Sequence, residues 1–416
     1  MGFLTGRYVG AFHYRDFMLL WLGSLAGNSA YWALIVARGV LVLNLTNSAT
    51  SVGIVTFAAM MPRFIVPPIA GYLSDRFTRR KVLVASYAVN LFLGFALTAL
   101  VFSGDIKVWQ LAILSILDGS SRTFQITATQ ALVPNLIPKS ILNNAVALNY
   151  ATVHGSRLVG PGIIAPLMMM DSPGYSFLVA ALFYGFSLSV TACIRTQSTG
   201  GIEKGESVFR GIGEGLTYVW RNKTLKMLFL LVALHCALTM SFESLLPSFS
   251  KSVITVGDVG VSYLMMAVGA GAFVAVLFIA GVGNEVARGK LLLVTAIVSG
   301  VSLLCLAASP SLMFSVIAAF LMGGSQSGFM AITHSLVQHL SPDAIRGRIN
   351  GINQVNVGGT MAVINLVNGI IADIIGPDRV LYVLGILFLL VMLMTLRNTT
   401  LRTLYQSGLT DSKMPK

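Results

Sequence analysis

The sequence predicts an all-α integral membrane protein: twelve transmembrane helices arranged as two pseudo-symmetric six-helix bundles. Three observations carry that expectation. The 416 residues are 55% hydrophobic and only 10% charged, with a mean hydropathy of +0.80, whereas a soluble domain is about 25% charged. Twelve mostly apolar runs, each close to the ~20 residues that a helix needs to cross a bilayer, alternate with polar breaks. The basic residues then fall mainly on one side of that topology. Such a composition argues against a soluble enzyme, a secreted disulfide framework and a disordered chain. Cys193, Cys236 and Cys305 lie in separate apolar runs with no CxxC spacing, so they suggest neither a metal site nor a redox motif.

The runs cover residues 17–44, 50–73, 80–103, 108–133, 141–170, 174–197, 224–250, 257–282, 289–308, 311–340, 347–375 and 379–399. They lack the apolar/polar alternation of barrel strands. The fourth, fifth and tenth carry Asp, Arg, His or Gln among their apolar residues. Met1–Asp16 is short and polar and reads as no signal peptide. With both termini cytoplasmic, 21 of the 28 Lys and Arg residues lie on the cytoplasmic side, three lie outside and four lie within spans. The net charge of +13 thus reflects orientation in a bacterial inner membrane rather than nucleic-acid binding.

One interior break is long. Residues 198–223 contain Gly200-Gly201 and a part-amphipathic stretch from Glu206 to Arg221. They divide the chain into an N-terminal bundle (1–197), a cytoplasmic linker (198–223), a C-terminal bundle (224–400) and a tail (401–416). Short connections elsewhere force sequential helices to run antiparallel. A six-plus-six layout is that of transporters whose cargo site lies between two bundles.

The most informative motif is Gly71-Tyr-Leu-Ser-Asp75-Arg76-Phe-Thr-Arg79-Arg80-Lys81, at the cytoplasmic end of the second run. Glycine permits close helix approach, Asp75 can cap a neighbouring helix, and the basic cluster suits anionic headgroups. The motif resembles the loop signature of the major facilitator superfamily, with Thr78 where the pattern has Gly. The resemblance implies that Gly71, Asp75, Arg76, Arg79 and Arg80 form a conformational latch.

A second string, Pro134, Asn143-Asn144-Ala145, Asn149, Arg157 and Gly160-Pro161-Gly162, joins Ser341-Pro342-Asp343-Ala344-Ile345-Arg346-Gly347-Arg348-Ile349-Asn350-Gly351. Together they are similar to the enterobactin-exporter-like branch of that superfamily. This implies export of siderophores or hydrophobic drugs in exchange for protons. Gly160-Pro161-Gly162 also resembles the helix-bend motif of antiporters, with Ile164-Ala165 where the family has a Gly pair.

Ionisable groups inside spans mark functional candidates, because burying one in hydrocarbon costs several kcal/mol. Asp118 lies about 15 Å into the fourth span. Arg122, four residues on, shares its face and can pair with it. Asp118 and Glu243, the latter in the outer half of span seven, are the proton-coupling candidates. Each also has a structural alternative: an ion pair for Asp118, and the cap of a break near Pro247 for Glu243. Arg38 reads as a headgroup-directed side chain near the outer end of span one. Candidate cavity residues are Asn28, Tyr31, Arg63, Asn90, Arg122, His154, Arg157, Gln326, Asn353 and Asn356, whose alternative is interhelical packing. His334 and His339 are five apart, the wrong spacing for a two-His metal face, so no metal site is expected. No phosphate-binding glycine loop occurs, and no cofactor is expected.

The resulting expectation is a non-enzymatic secondary transporter working by alternating access. It would export amphipathic or anionic organic molecules against protons, as a monomer in lipid. Uptake or lysolipid flipping by the same fold is the alternative.

Overall fold

The computed structural model describes residues 10–170, 172–196, 198, 208–280, 285–342 and 345–408. All regular structure among them is helical. The helices are α1 (Arg15–Thr46), α2 (Ala49–Met60), α3 (Pro62–Arg76), α4 (Arg79–Ser103), α5 (Val108–Leu136), α6 (Leu142–Ile164), α7 (Gly174–Ala192), α8 (Val208–Arg221), α9 (Lys223–His235), α10 (Leu246–Ser252), α11 (Asp258–Ala280), α12 (Glu285–Ala307), α13 (Leu312–Leu340), α14 (Arg346–Ile375), α15 (Pro377–Arg397) and α16 (Thr399–Ser407).

Among the described residues, ten helical segments are both long and apolar enough to cross a membrane. The helices of 29 and 23 residues that coincide with the expected fourth and fifth spans, α5 and α6, are long enough to cross but more polar than the ten. Asp118 and Arg122 on α5, and His154 and Arg157 on α6, account for much of the deficit.

Two runs read as continuous are interrupted. The second breaks at Met61, because Pro62 has no N–H to continue the ladder and instead opens α3. The seventh passes from α9 through a π-helical turn, Cys236–Met240, into an irregular stretch before α10, where Pro247 lies in the first turn. At the joint of α14 and α15, Gly376 adopts φ +93°, a left-handed conformation that favours glycine.

The chain forms two compact units. Unit 1 comprises Met1–Asn47, Ile54–Lys204 and Val261–Met266; unit 2 comprises Ser48–Gly53, Gly205–Gly260 and Ala267–Lys416. In unit 1, α1 packs on α6 and α7, α4 on α5 and α7, and α3 on α5. Gly160 of α6 lies so close to α1 that a Cβ there would overlap the Ser29 carbonyl oxygen. In unit 2, α12 packs on α13, α15 and α16, and α8 packs on α14 and α9.

Candidate functional site

In unit 1, polar side chains from α1, α3, α5 and α7 converge. Asp118 is almost fully buried, at 1% exposure. Gly119 beside it brings α5 against the backbone of Ala59. The Asp118 carboxylate accepts a hydrogen bond from Arg38 Nη1 at 3.0 Å and one from the Tyr184 hydroxyl at 3.4 Å. Its ion-pair partner is therefore Arg38 on α1, not Arg122 one turn along its own helix. Arg38 does not reach for headgroups: it is 4% exposed.

Arg122 is also buried and donates to the Asn28 side-chain oxygen, with its guanidinium 4.8 Å from the Tyr31 ring centroid. Asn28 in turn donates to the Ser24 carbonyl. Arg63 donates to the Tyr31 hydroxyl at 2.7 Å, so Tyr31 links two guanidinium groups. Three arginines are thus gathered with one carboxylate, an arrangement that leaves a positive excess in a low-dielectric setting.

Asn90 is fully buried on α4. Gln125 is buried, and neither its amide nitrogen nor its amide oxygen has a hydrogen-bond partner among the described residues. Tyr184 is not among the candidates that the sequence supplies; Gln125 enters there only as the end of Arg122-Thr-Phe-Gln125, which resembles the superfamily's span-four R-x-x-Q motif with Ile126 where the family has Gly. Arg157 stacks over Trp32 at 4.4 Å and donates to the Met265 sulfur at 3.7 Å. His154 sits one turn earlier on α6, half-buried. Pro161 lies three residues before the end of α6, which gives way to a 3-10 turn at Pro166–Met169. Gly162 is half-buried.

In the loop motif, Arg79 Nη1 donates to the Ala131 carbonyl at 2.8 Å and to the Ser198 hydroxyl at 3.0 Å. Arg80 donates to the Ala192 carbonyl at 2.6 Å. Ala192 closes α7, so Arg80 serves a carbonyl that a helix end leaves over, whereas Ala131 lies inside the last turns of α5. A Cβ on Gly71 would meet no atom within 4 Å. Arg76 is exposed. The Asp75 side chain lies outside the described residues.

In unit 2, the polar candidates surround the interrupted seventh span. Gln326 of α13 donates to the Thr239 carbonyl and Asn368 of α14 to the Ser241 carbonyl, each at 2.6 Å. Asn365 accepts from the Ser244 amide at 3.0 Å, and Asn356 donates to the Phe229 carbonyl at 3.0 Å. Gln326, Asn365 and Asn368 supply bonds that the broken helix cannot make itself, as buried backbone in a membrane protein requires, whereas Asn356 adds a second bond inside α9. Glu243 lies within the break, 6% exposed. Asn353 is buried, and its side-chain oxygen has no hydrogen-bond partner among the described residues. His235 is fully buried, stacked on Phe329 at 4.0 Å, with Nε2 3.1 Å from the Ser299 hydroxyl. Among the described residues no group of three or more His, Cys, Asp or Glu could hold a metal ion.

Length, apolarity and helix order define a multi-pass membrane protein, and the family model that matches it belongs to the major facilitator superfamily. The chain belongs to the family described as transmembrane secretion effector, whose model matches residues 9–415. It is 25% identical over 345 residues to the multidrug efflux pump Tap of Mycolicibacterium fortuitum, covering 80% of this chain and 84% of Tap. It is 22% identical over 340 residues to macrolide efflux protein A of Streptococcus pyogenes, with the same coverage of each chain. Among solved structures, the nucleoside transporter NupG superposes with a TM-score of 0.72 at 12% identity, covering 91% of this chain and 98% of that one. The human organic anion transporter MFSD10 superposes with a TM-score of 0.67 at 16% identity and the same coverage. Both structures show the fold.

Proposed function

We propose that the protein is a proton-coupled exporter of amphipathic organic molecules, with Asp118 as the proton-carrying group. The observation that carries this reading is the Asp118–Arg38 pair, buried in unit 1 with Tyr184 as a second ligand of the carboxylate. Protonation of Asp118 removes the charge that holds Arg38. The freed guanidinium must then find another anion or rearrange, because an unpaired charge at that depth is costly. Exchange of a proton for cargo or for a rearrangement is the coupling that alternating access needs.

Arg122, Arg63 and Tyr31 form the polar wall against which an anionic or hydrogen-bonding cargo group is oriented. The relatives named for multidrug and macrolide efflux support export and a bulky organic cargo. On this reading the chain lies in a bacterial inner membrane, as a monomer with both termini cytoplasmic. Glu243 is a second carboxylate available for protonation. Gly71, Asp75, Arg76, Arg79 and Arg80 act as the latch, and Gly160, Pro161 and Gly162 as the bend.

The test uses purified protein in proteoliposomes holding a pH-sensitive dye. A macrolide, a lipophilic cation, a siderophore and a lysophospholipid are offered in turn as cargo gradients. Cargo-dependent proton movement is expected, and Asp118→Asn is expected to abolish it while cargo counterflow persists. Cargo movement without protons in the unaltered protein overturns proton coupling and favours a uniporter or flippase. Full proton coupling in Asp118→Asn removes Asp118 from the mechanism.

A further inference from the structure

Helix α8 carries a surface that the transport reading does not use. Its inner side is packed: Val219 joins Leu225, Phe229, Val337 and Ile349 in one buried cluster, with Tyr218 and Ile352 against it. Gly215 lets α8 approach closely, since a Cβ there would come within 2.9 Å of Ile352. Glu214, the one carboxylate on this helix, is already paired with Arg348 at 2.5 Å. The outer side is different. Leu216 is 43% exposed and Trp220 61% exposed, one turn apart on the same face.

Cations follow that tryptophan along the chain. Arg221 and Lys223 are exposed and make no ion pair among the described residues. The Lys226 ammonium lies 5.2 Å from the Trp220 ring centroid. Only Asn222, whose side chain caps α9 by accepting from the Leu225 amide, separates α8 from α9. The segment Lys223–Met240 is long and apolar enough to span the membrane, so Trp220 and these cations stand where that span meets the membrane surface. An exposed tryptophan suits the headgroup level, and unpaired cations beside it favour anionic lipid.

We propose that Trp220, Arg221, Lys223 and Lys226 form a binding site for anionic phospholipid headgroups that anchors α8 to the leaflet. The indole and Leu216 enter the upper acyl region, and the three cations hold the phosphate and its neighbours. The site requires lipid and no cargo, so it stands or falls apart from proton coupling.

The full chain is reconstituted in vesicles mixing phosphatidylglycerol and phosphatidylcholine, with bromine on the acyl chains of one lipid at a time. The fluorescence difference between the unaltered protein and Trp220→Phe isolates Trp220. Brominated phosphatidylglycerol is expected to quench that component at least about twofold more than brominated phosphatidylcholine at equal fraction. The preference is expected to vanish in Arg221→Gln/Lys223→Gln/Lys226→Gln. It is also expected to shrink with rising salt in the unaltered protein, which needs no variant to fold. Equal quenching by the two lipids, no quenching of Trp220 by either, or a preference insensitive to both charge removal and salt overturns the proposal.

Discussion

The two units treat buried polarity in opposite ways. Unit 1 keeps charges: Arg38, Arg63 and Arg122 gather with the carboxylate of Asp118. Unit 2 gathers amides around an interrupted helix, where Gln326, Asn356, Asn365 and Asn368 bond backbone groups of the seventh span. Removing a proton from a carboxylate changes the charge inside its unit, whereas an amide bonded to a carbonyl has no second protonation state at working pH. The difference suggests that response to protons concentrates in unit 1 and maintenance of a broken helix in unit 2. Glu243, inside that break, is the residue that could blur this division.

The largest effect should come from breaking the charge pair on one side only. Arg38→Gln leaves Asp118 buried without its cation, at a cost of about 3–5 kcal/mol. Thermal denaturation in detergent should show a large loss. Arg38→Gln/Asp118→Asn should regain most of it, because neither charge is then stranded. If the single and double variants melt alike, the pair contributes little and unit 1 loses its distinction. Next in size is Gly160→Val, which drives side-chain atoms into the Ser29 carbonyl. Overpacking of this kind costs about 1–3 kcal/mol. An unchanged midpoint would mean that α1 and α6 separate freely.

A smaller change tests the other half of the contrast. Gln326→Leu leaves the Thr239 carbonyl without its amide donor, and interhelical hydrogen bonds in membranes average about 0.6 kcal/mol. The midpoint should fall slightly and the pH dependence of transport should stay as it was. Loss of pH dependence in this variant would collapse the division between the units.

The fold is legible from the sequence because its causes are local or compositional: length of apolar run, polar break, bias of basic residues. The interruption at Met61 is foreshadowed by Pro62, and the break before α10 by Pro247. The π-helical turn at Cys236–Met240 leaves no such mark, since it depends on side chains from α13 and α14 that lie far along the chain. The partner of Asp118 is hidden for the same reason. Four residues separate it from Arg122, and helix geometry makes that pairing the obvious one, yet Arg38 is 80 residues away. Depth along a span locates the ionisable residues; only the packing of α1 against α5 decides which of them meet. Amides are ambiguous for a physical cause: Gln and Asn can line a wet cavity or cap buried carbonyls, and residue type does not distinguish the two.

A last pair of variants joins the units where they are alike. Asp16 accepts from the backbone amides of Arg195 and Thr196 and from the Thr196 hydroxyl, beyond the end of α7. Asp373 does the same at the start of α2, accepting from the amides of Ala49 and Thr50 and the Ser48 hydroxyl. Each carboxylate supplies acceptors to backbone amides at a helix end that would otherwise rely on water. Asp16→Ala and Asp373→Ala should therefore each lower stability by about 0.5–1 kcal/mol, because exposed amides rehydrate readily. Denaturation midpoints for the two single variants and the double variant check this. The two losses should be similar and should add, since the sites lie in separate units and share no partner. A strongly non-additive double variant would mean that the two ends are energetically coupled, and the contrast between the units would then have to extend from their interiors to their rims.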